Sequence, residues 1–361
     1  MDDVSPAGRG RRTGAWCATA VTALSCMVAA GAGTATAGTG TTGTAGTGTG
    51  TTGTGAAAHR PPTWCKASGA LRARAMPQKV RLSDCDLRGR VVRGENGLAA
   101  TVPSDGTSVT AHSLRTDGAS ELRVEVDEAK GEITLTATGT RVPQGRPRAF
   151  RAPMDACKDG AYQQEPSKWP KGATIEWHYY PGTAGLPMSG VSTGITDMFD
   201  AKTDCTPSHA FAPLPDVSQK YAGQTTTAPN VTADATCGEH DGTNVSGWQA
   251  MPGAEPDVLA ATCTWFRGPT TIESDTALQT QGKKWWPGPQ DGSSCPAGSY
   301  DAAAVTTHET GHMLGLGHVE GSQHSELTMA PTVASCDDDP ATLGKGDYDG
   351  LIALYGARSP A

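Results

Sequence analysis

The chain has 361 residues, with 37 Asp and Glu against 29 Lys and Arg, giving a formal net charge of −8. That balance offers no basic footprint for a phosphate backbone, and no phosphate-cradling loop occurs among the glycines, so nucleic-acid and nucleotide binding are excluded as readings. The length allows two or three domains, although the N-terminal part is not globular in composition.

Residues 1–37 read as a secretory signal. Arg9, Arg11 and Arg12 precede an apolar run from Ala15 to Ala30, and Ala35-Thr36-Ala37 supplies the small residues of a cleavage site. The run is too short and too rich in small residues to persist as a membrane helix, so no stable membrane insertion is expected; an uncleaved anchor is the alternative. Cys17 and Cys26 would leave with the signal. Residues 38–63 form a Thr/Gly/Ala-rich tether, which buries too little apolar surface to offset its ordering entropy. The expected location is extracellular, free or tethered at the cell surface.

Residues 64–148 alternate apolar and polar side chains over Arg90–Arg93, Ser108–Ala111, Glu121–Val126 and Glu132–Ala137, with Gly, Asn and Asp turns between them. This predicts a small antiparallel β domain stapled at its start by Cys65 and Cys85. It shows no metal-ligand cluster or nucleophile pair, and two roles stay open: a propeptide covering an active site, or an accessory module.

Residues 149–361 form the second globular segment. Cys205, Cys237, Cys263, Cys295 and Cys336 are an odd set that Cys157 makes even, leaving 15 connectivities open. One pairing would join Cys295 to Cys336; the rival role for Cys157 is a free thiolate that caps a metal. An even mature cysteine count agrees with an oxidising compartment. Ala173–Tyr180 reads as a strand, and Val191, Ile195, Met198 and Phe199 place a helix between Pro187 and Cys205. Residues 206–257 read as loops, with Asp234, Glu239 and Asp241 as candidates for a structural Ca2+ site. Val258–Trp265 reads as a buried or edge strand. His59, His112, His178, His209, His240 and His324 read as surface or core histidines, His324 as a solvated loop residue, with stabilisation of a tetrahedral intermediate as its alternative role.

The densest chemistry lies in His308-Glu309-Thr310-Gly311-His312-Met313-Leu314-Gly315-Leu316-Gly317-His318. On a helix from Tyr300 to Leu314, N-capped by Ser299, His308 and His312 stand one turn apart and face one side. Glu309 flanks that face as a general base. Gly315 enters the left-handed conformation cheaply and ends the helix, so the returning chain can bring His318 in as a third ligand. Three ligands leave one position open, the arrangement of a catalytic Zn2+.

His308-Glu309-x-x-His312-x-x-Gly315-x-x-His318 resembles the extended zinc signature of the metzincin metalloproteases. Met329-Ala330-Pro331 is similar to the methionine turn of the matrixins, and Pro331 stands where astacin and serralysin relatives place a tyrosine ligand, so no such ligand is expected. Leu343–Gly356 is similar to the matrixin C-terminal helix, with Asp347 as N-cap and Gly356 as stop. Asn244–Trp248 and Ile272–Asp275 resemble segments of the matrixin sheet. The resemblance implies an α+β catalytic domain with a twisted mixed sheet, an active-site helix and a C-terminal helix. It also implies a strand at Val258–Trp265 that pairs with an extended protein or peptide substrate. The proline-arginine-cysteine-glycine segment that keeps matrixins latent is absent. The resulting expectation is a secreted zinc endopeptidase; the alternative is an extracellular binding protein with a degenerate protease-like domain.

Overall fold

The computed structural model describes residues 60–141, 152–288 and 294–359. The expected export signal and nearly all of the tether lie outside these residues. The described residues fall within one compact unit.

Its frame is a nine-stranded sheet. In chain order the strands are β1 (Lys79–Arg81), β2 (Ser108–Arg115), β3 (Gly118–Asp127), β4 (Glu132–Arg141), β5 (Thr174–Tyr180), β6 (Ser218–Gln224), β7 (Val245–Gln249), β8 (Val258–Arg267) and β9 (Thr270–Gln279). They lie in the order β6-β5-β7-β9-β8-β2-β3-β4-β1. β6, β5, β7 and β9 run parallel to one another, and β8 turns back antiparallel to β9. The N-terminal meander of β2, β3 and β4 then continues the sheet antiparallel from β8. The expected boundary at residue 148 therefore falls between strands of one sheet. A second seam joins the same segments, where Thr236–Cys237 adds to a small sheet at Ala99–Thr101.

Period-two alternation assigns the two faces of the sheet. Val109 and Ala111 on β2, with Ala261, Cys263 and Trp265 on β8, pack into a core beneath the N-terminal segment. The opposite face carries Leu114, Ala260 and Leu278, which pack against the helices. Those helices are α1 (Ser189–Phe199), α2 (Ala302–Met313) and α3 (Lys345–Tyr355). α1 buries Val191, Ile195, Met198 and Phe199, the apolar set its spacing predicts. It approaches α2 closely because a side chain at Gly194 would meet the Ala303 carbonyl oxygen at 2.6 Å.

Several expectations are corrected. Ser299 is not the cap of α2: Ser299–Asp301 is a short strand paired with Lys284–Trp286, and Asp301 caps the helix by accepting the N–H groups of Ala303 and Ala304. Asp347 is likewise not the N-cap of α3; Gly344 is, and Asp347 sits three residues in, where its carboxylate reaches back to the Gly344 N–H. Gly356 does end α3, at a φ of 68°. The loops expected over 206–257 are interrupted by β6 and β7. β6 eluded the pattern because it is an outer strand with no buried residue and so no alternation to read. The disulfides are Cys65–Cys85, Cys157–Cys205, Cys237–Cys263 and Cys295–Cys336. Cys157 is thus held by Cys205 and is not a free metal-capping thiolate.

Candidate metal centre

α2 is buried along its whole length, so it shows no amphipathic stripe and every side chain on it has a fixed neighbour. Its C-terminal carbonyls are taken up by distant groups: Trp169 Nε1 donates to Met313 O at 2.9 Å and the Tyr355 hydroxyl to Leu314 O at 2.7 Å. Gly315 then takes a φ of +90°, which reverses the chain toward His318.

The three expected donor histidines converge. The Nε2 atoms of His308, His312 and His318 are 3.1–3.2 Å apart. Donors bound to one tetrahedral zinc at about 2.0–2.1 Å would stand at close to that separation. His308 Nδ1 faces Thr328 O at 2.7 Å and His312 Nδ1 faces Leu316 O at 2.8 Å, so each ring donates its Nδ1 proton to a carbonyl and turns its Nε2 lone pair inward. Burial drives His308 down to about 4, and it holds His312 and His318 well below the ordinary histidine value. The imidazoles are therefore neutral. Three lone pairs meeting in one small volume repel unless a cation lies among them, so the donor set fits a zinc ion.

Glu309 is fully buried, and burial lifts its carboxyl to about 8; the Thr262 hydroxyl and the Leu114 amide pull it back only in part. Neither carboxylate oxygen has a hydrogen-bond partner of good geometry. Below the site lies Met329, 1% exposed. A side chain at Gly311 would meet Met329 Sδ at 2.2 Å, so the glycine makes room for the methionine. Met329 O accepts the N–H of Val319, next to His318, at 2.9 Å. The methionine turn and the third histidine are thereby tied together.

Sequence reasoning missed three neighbours of this centre. His112, taken for an ordinary histidine, is buried on β2 and stacks on His312 with ring centroids 3.8 Å apart and planes 6° from parallel. Glu165 lies 3.6 Å from His112 Nε2 and accepts from Arg123 of β3 at 3.2 Å; burial pushes its carboxyl up to about 8. Thr262 faces His112 across the β2–β8 pairing. The signal available for His112 was its place in phase with Thr110 and Leu114, one residue beyond the alternating stretch that ended at Ala111.

His324 is not a solvated loop residue: its Nδ1 lies 2.7 Å from the buried Asp159 carboxylate. The calcium candidates do not assemble. Asp234 pairs with Arg93 at 3.2 Å, and among the described residues no group of three or more His, Cys, Asp or Glu side chains close enough to share an ion includes Asp234, Glu239 or Asp241.

Residues 168–356, just over half of the chain, match the family model described as Matrixin. No curated protein matches the chain.

Proposed function

The chain belongs to the matrixin family of metallopeptidases, and from that premise we propose that it is a secreted zinc endopeptidase in which His308, His312 and His318 hold the metal and Glu309 is the general base. The observation that carries this reading is the convergence of three neutral imidazole nitrogens beside a buried carboxylate with no hydrogen-bond partner among the described residues. A zinc ion bound there would supply Lewis acidity toward a scissile carbonyl and would lower the pKa of water toward neutrality.

The chain's own residues do the rest. Glu309 would take a proton from the attacking water and return it to the leaving amine. The Thr328 and Leu316 carbonyls hold the tautomer and orientation of His308 and His312. Met329 and Gly315 have supporting roles, the first as the floor of the site and the second as the turn that delivers His318. Extracellular location is supported by four disulfides, and among the described residues no helix is long and apolar enough to cross a membrane.

The deciding experiment measures casein hydrolysis by the purified chain before and after limited proteolysis, with and without a zinc chelator, alongside Glu309→Gln. Chelator-sensitive hydrolysis that falls about 10²–10⁴-fold in Glu309→Gln, with zinc content unchanged, is the expected result. One zinc per chain without hydrolysis under any condition would instead support the binding-protein alternative.

A further inference from the structure

A strand beside an active-site helix is a template for polypeptide, because its free N–H and C=O groups pair with any extended chain. β8 is such a strand. It packs against α2, the helix that carries Glu309. One edge of β8 pairs with β9, and the other is filled by the chain itself: β2 runs antiparallel along it, with Thr262 opposite His112 and Ala260 opposite Leu114. β2 itself packs against α2, and so lies where an extended substrate on that edge would lie.

The same strand carries a group suited to the metal. His112 is 1% exposed, and neither of its ring nitrogens has a hydrogen-bond partner among the described residues. One of them lies within 4.8 Å of donor nitrogens on both His312 and His318. The parallel stack keeps the His112 ring alongside that of His312, so pointing a lone pair at a shared ion takes a rotation of the imidazole. That rotation breaks no hydrogen bond. The strand is held down from the neighbouring edge, where Arg123 of β3 bonds Glu165 at 3.2 Å and Glu121 at 2.9 Å.

We propose that the N-terminal sheet is a built-in occupant of this site, with β2 taking the place of an extended polypeptide on β8 and His112 donating a fourth nitrogen to the metal. The proposal rests on the metallopeptidase reading and adds the device that keeps the site closed. It also gives residues 64–141 the role of a covering segment, with a histidine in place of a thiolate.

The test uses the full chain loaded with zinc, as wild type, His112→Ala and His112→Phe. Phenylalanine keeps a flat ring against His312 and has no donor, so it separates ligation from packing. X-ray absorption should count four imidazole nitrogens in the wild type, and three with one oxygen in both variants. Loaded with cobalt, both variants should change spectrum on adding acetohydroxamate, while the wild type should not. Three imidazoles and an oxygen in the wild type, or a His112→Phe coordination sphere identical to wild type, would overturn the proposal. Failure of the peptidase reading is separable. Four imidazoles on zinc with no hydrolysis under any condition would defeat that reading alone, whereas a chain that binds no zinc would defeat both.

Discussion

Asp347, on α3, accepts the backbone N–H of Met329 at 3.1 Å, so the turn beneath the three histidines hangs from the C-terminal helix. The same carboxylate takes the N–H groups of Thr328 at 2.9 Å and Gly344 at 3.0 Å. Thr328 in turn offers its carbonyl to His308. A chain of short contacts thus runs from α3 through the turn to a metal donor. Asp347→Ala would leave three buried N–H groups unpaired, at about 1–3 kcal/mol each before relaxation. The expected outcome is a lower midpoint of thermal unfolding together with zinc affinity weakened about 10–100-fold, read by chelator competition. Unfolding shifted with zinc affinity unchanged would show that the turn does not position His308.

Gly311 separates the two halves of the zinc motif and lies over Met329. An added methyl would come within 2.2 Å of Met329 Sδ and 3.3 Å of Met198 Cε. Methionine is flexible, but both are fully buried with no space to move into. Gly311→Ala raises helix propensity by about 1 kcal/mol, yet overpacking of this kind costs about 1–3 kcal/mol. Net destabilisation is expected in urea unfolding, and the double variant Gly311→Ala/Met329→Leu should not restore it fully because Met198 still obstructs. A more stable Gly311→Ala would mean that the floor of the site is soft.

What was legible in the sequence was what the chain places locally. His308 and His312 are one helical turn apart, and Gly315, His318 and Met329 follow within a short span, so spacing alone brings them near one another. α3 shows its face through Leu351, Leu354 and Tyr355. The nearest neighbours of the centre were not legible, because β2 meets β8 only through tertiary pairing. No local rule links His112 to His312, and Glu165 stands in a segment without periodicity. The α2 cap was misplaced by two residues for a related reason: pairing with Lys284–Trp286 keeps Ser299 and Tyr300 extended and passes the capping role to Asp301.

Cys295 and Cys336 close a loop that contains α2, the third histidine and the methionine turn, with a sequence separation of 41. Cross-linking a loop of that length lowers the entropy of the unfolded chain by an amount worth about 4 kcal/mol. Replacing both cysteines by serine should therefore cost the fold on the order of 2–4 kcal/mol, seen as a lower urea midpoint with an equal or steeper slope, since the unlinked chain exposes more surface when unfolded. An unchanged stability would show that the bond does not constrain the unfolded chain.

Asp301 carries a pH dependence of its own. Its Oδ1 accepts from Ala303 at 2.6 Å and Ala304 at 2.9 Å, while Oδ2 is buried without a partner. Burial raises its pKa from 3.8 to about 6, against the pull of the two amides. The folded protein thus holds this proton more tightly than the unfolded chain does. The stability it confers is fully present below about pH 4 and is lost as pH rises through about 6. Asparagine keeps the capping oxygen and carries no charge on the buried side. A tenfold difference in proton affinity between the folded and unfolded chains is worth about 1.4 kcal/mol. The stability of Asp301→Asn relative to wild type should therefore increase by about 2 kcal/mol between pH 4 and pH 7, whatever constant offset the buried amide adds. Urea unfolding of both proteins across that range measures the difference directly. A difference independent of pH would show that the Asp301 carboxylate is neutralised or solvated in the native protein and that the cap bears no buried charge.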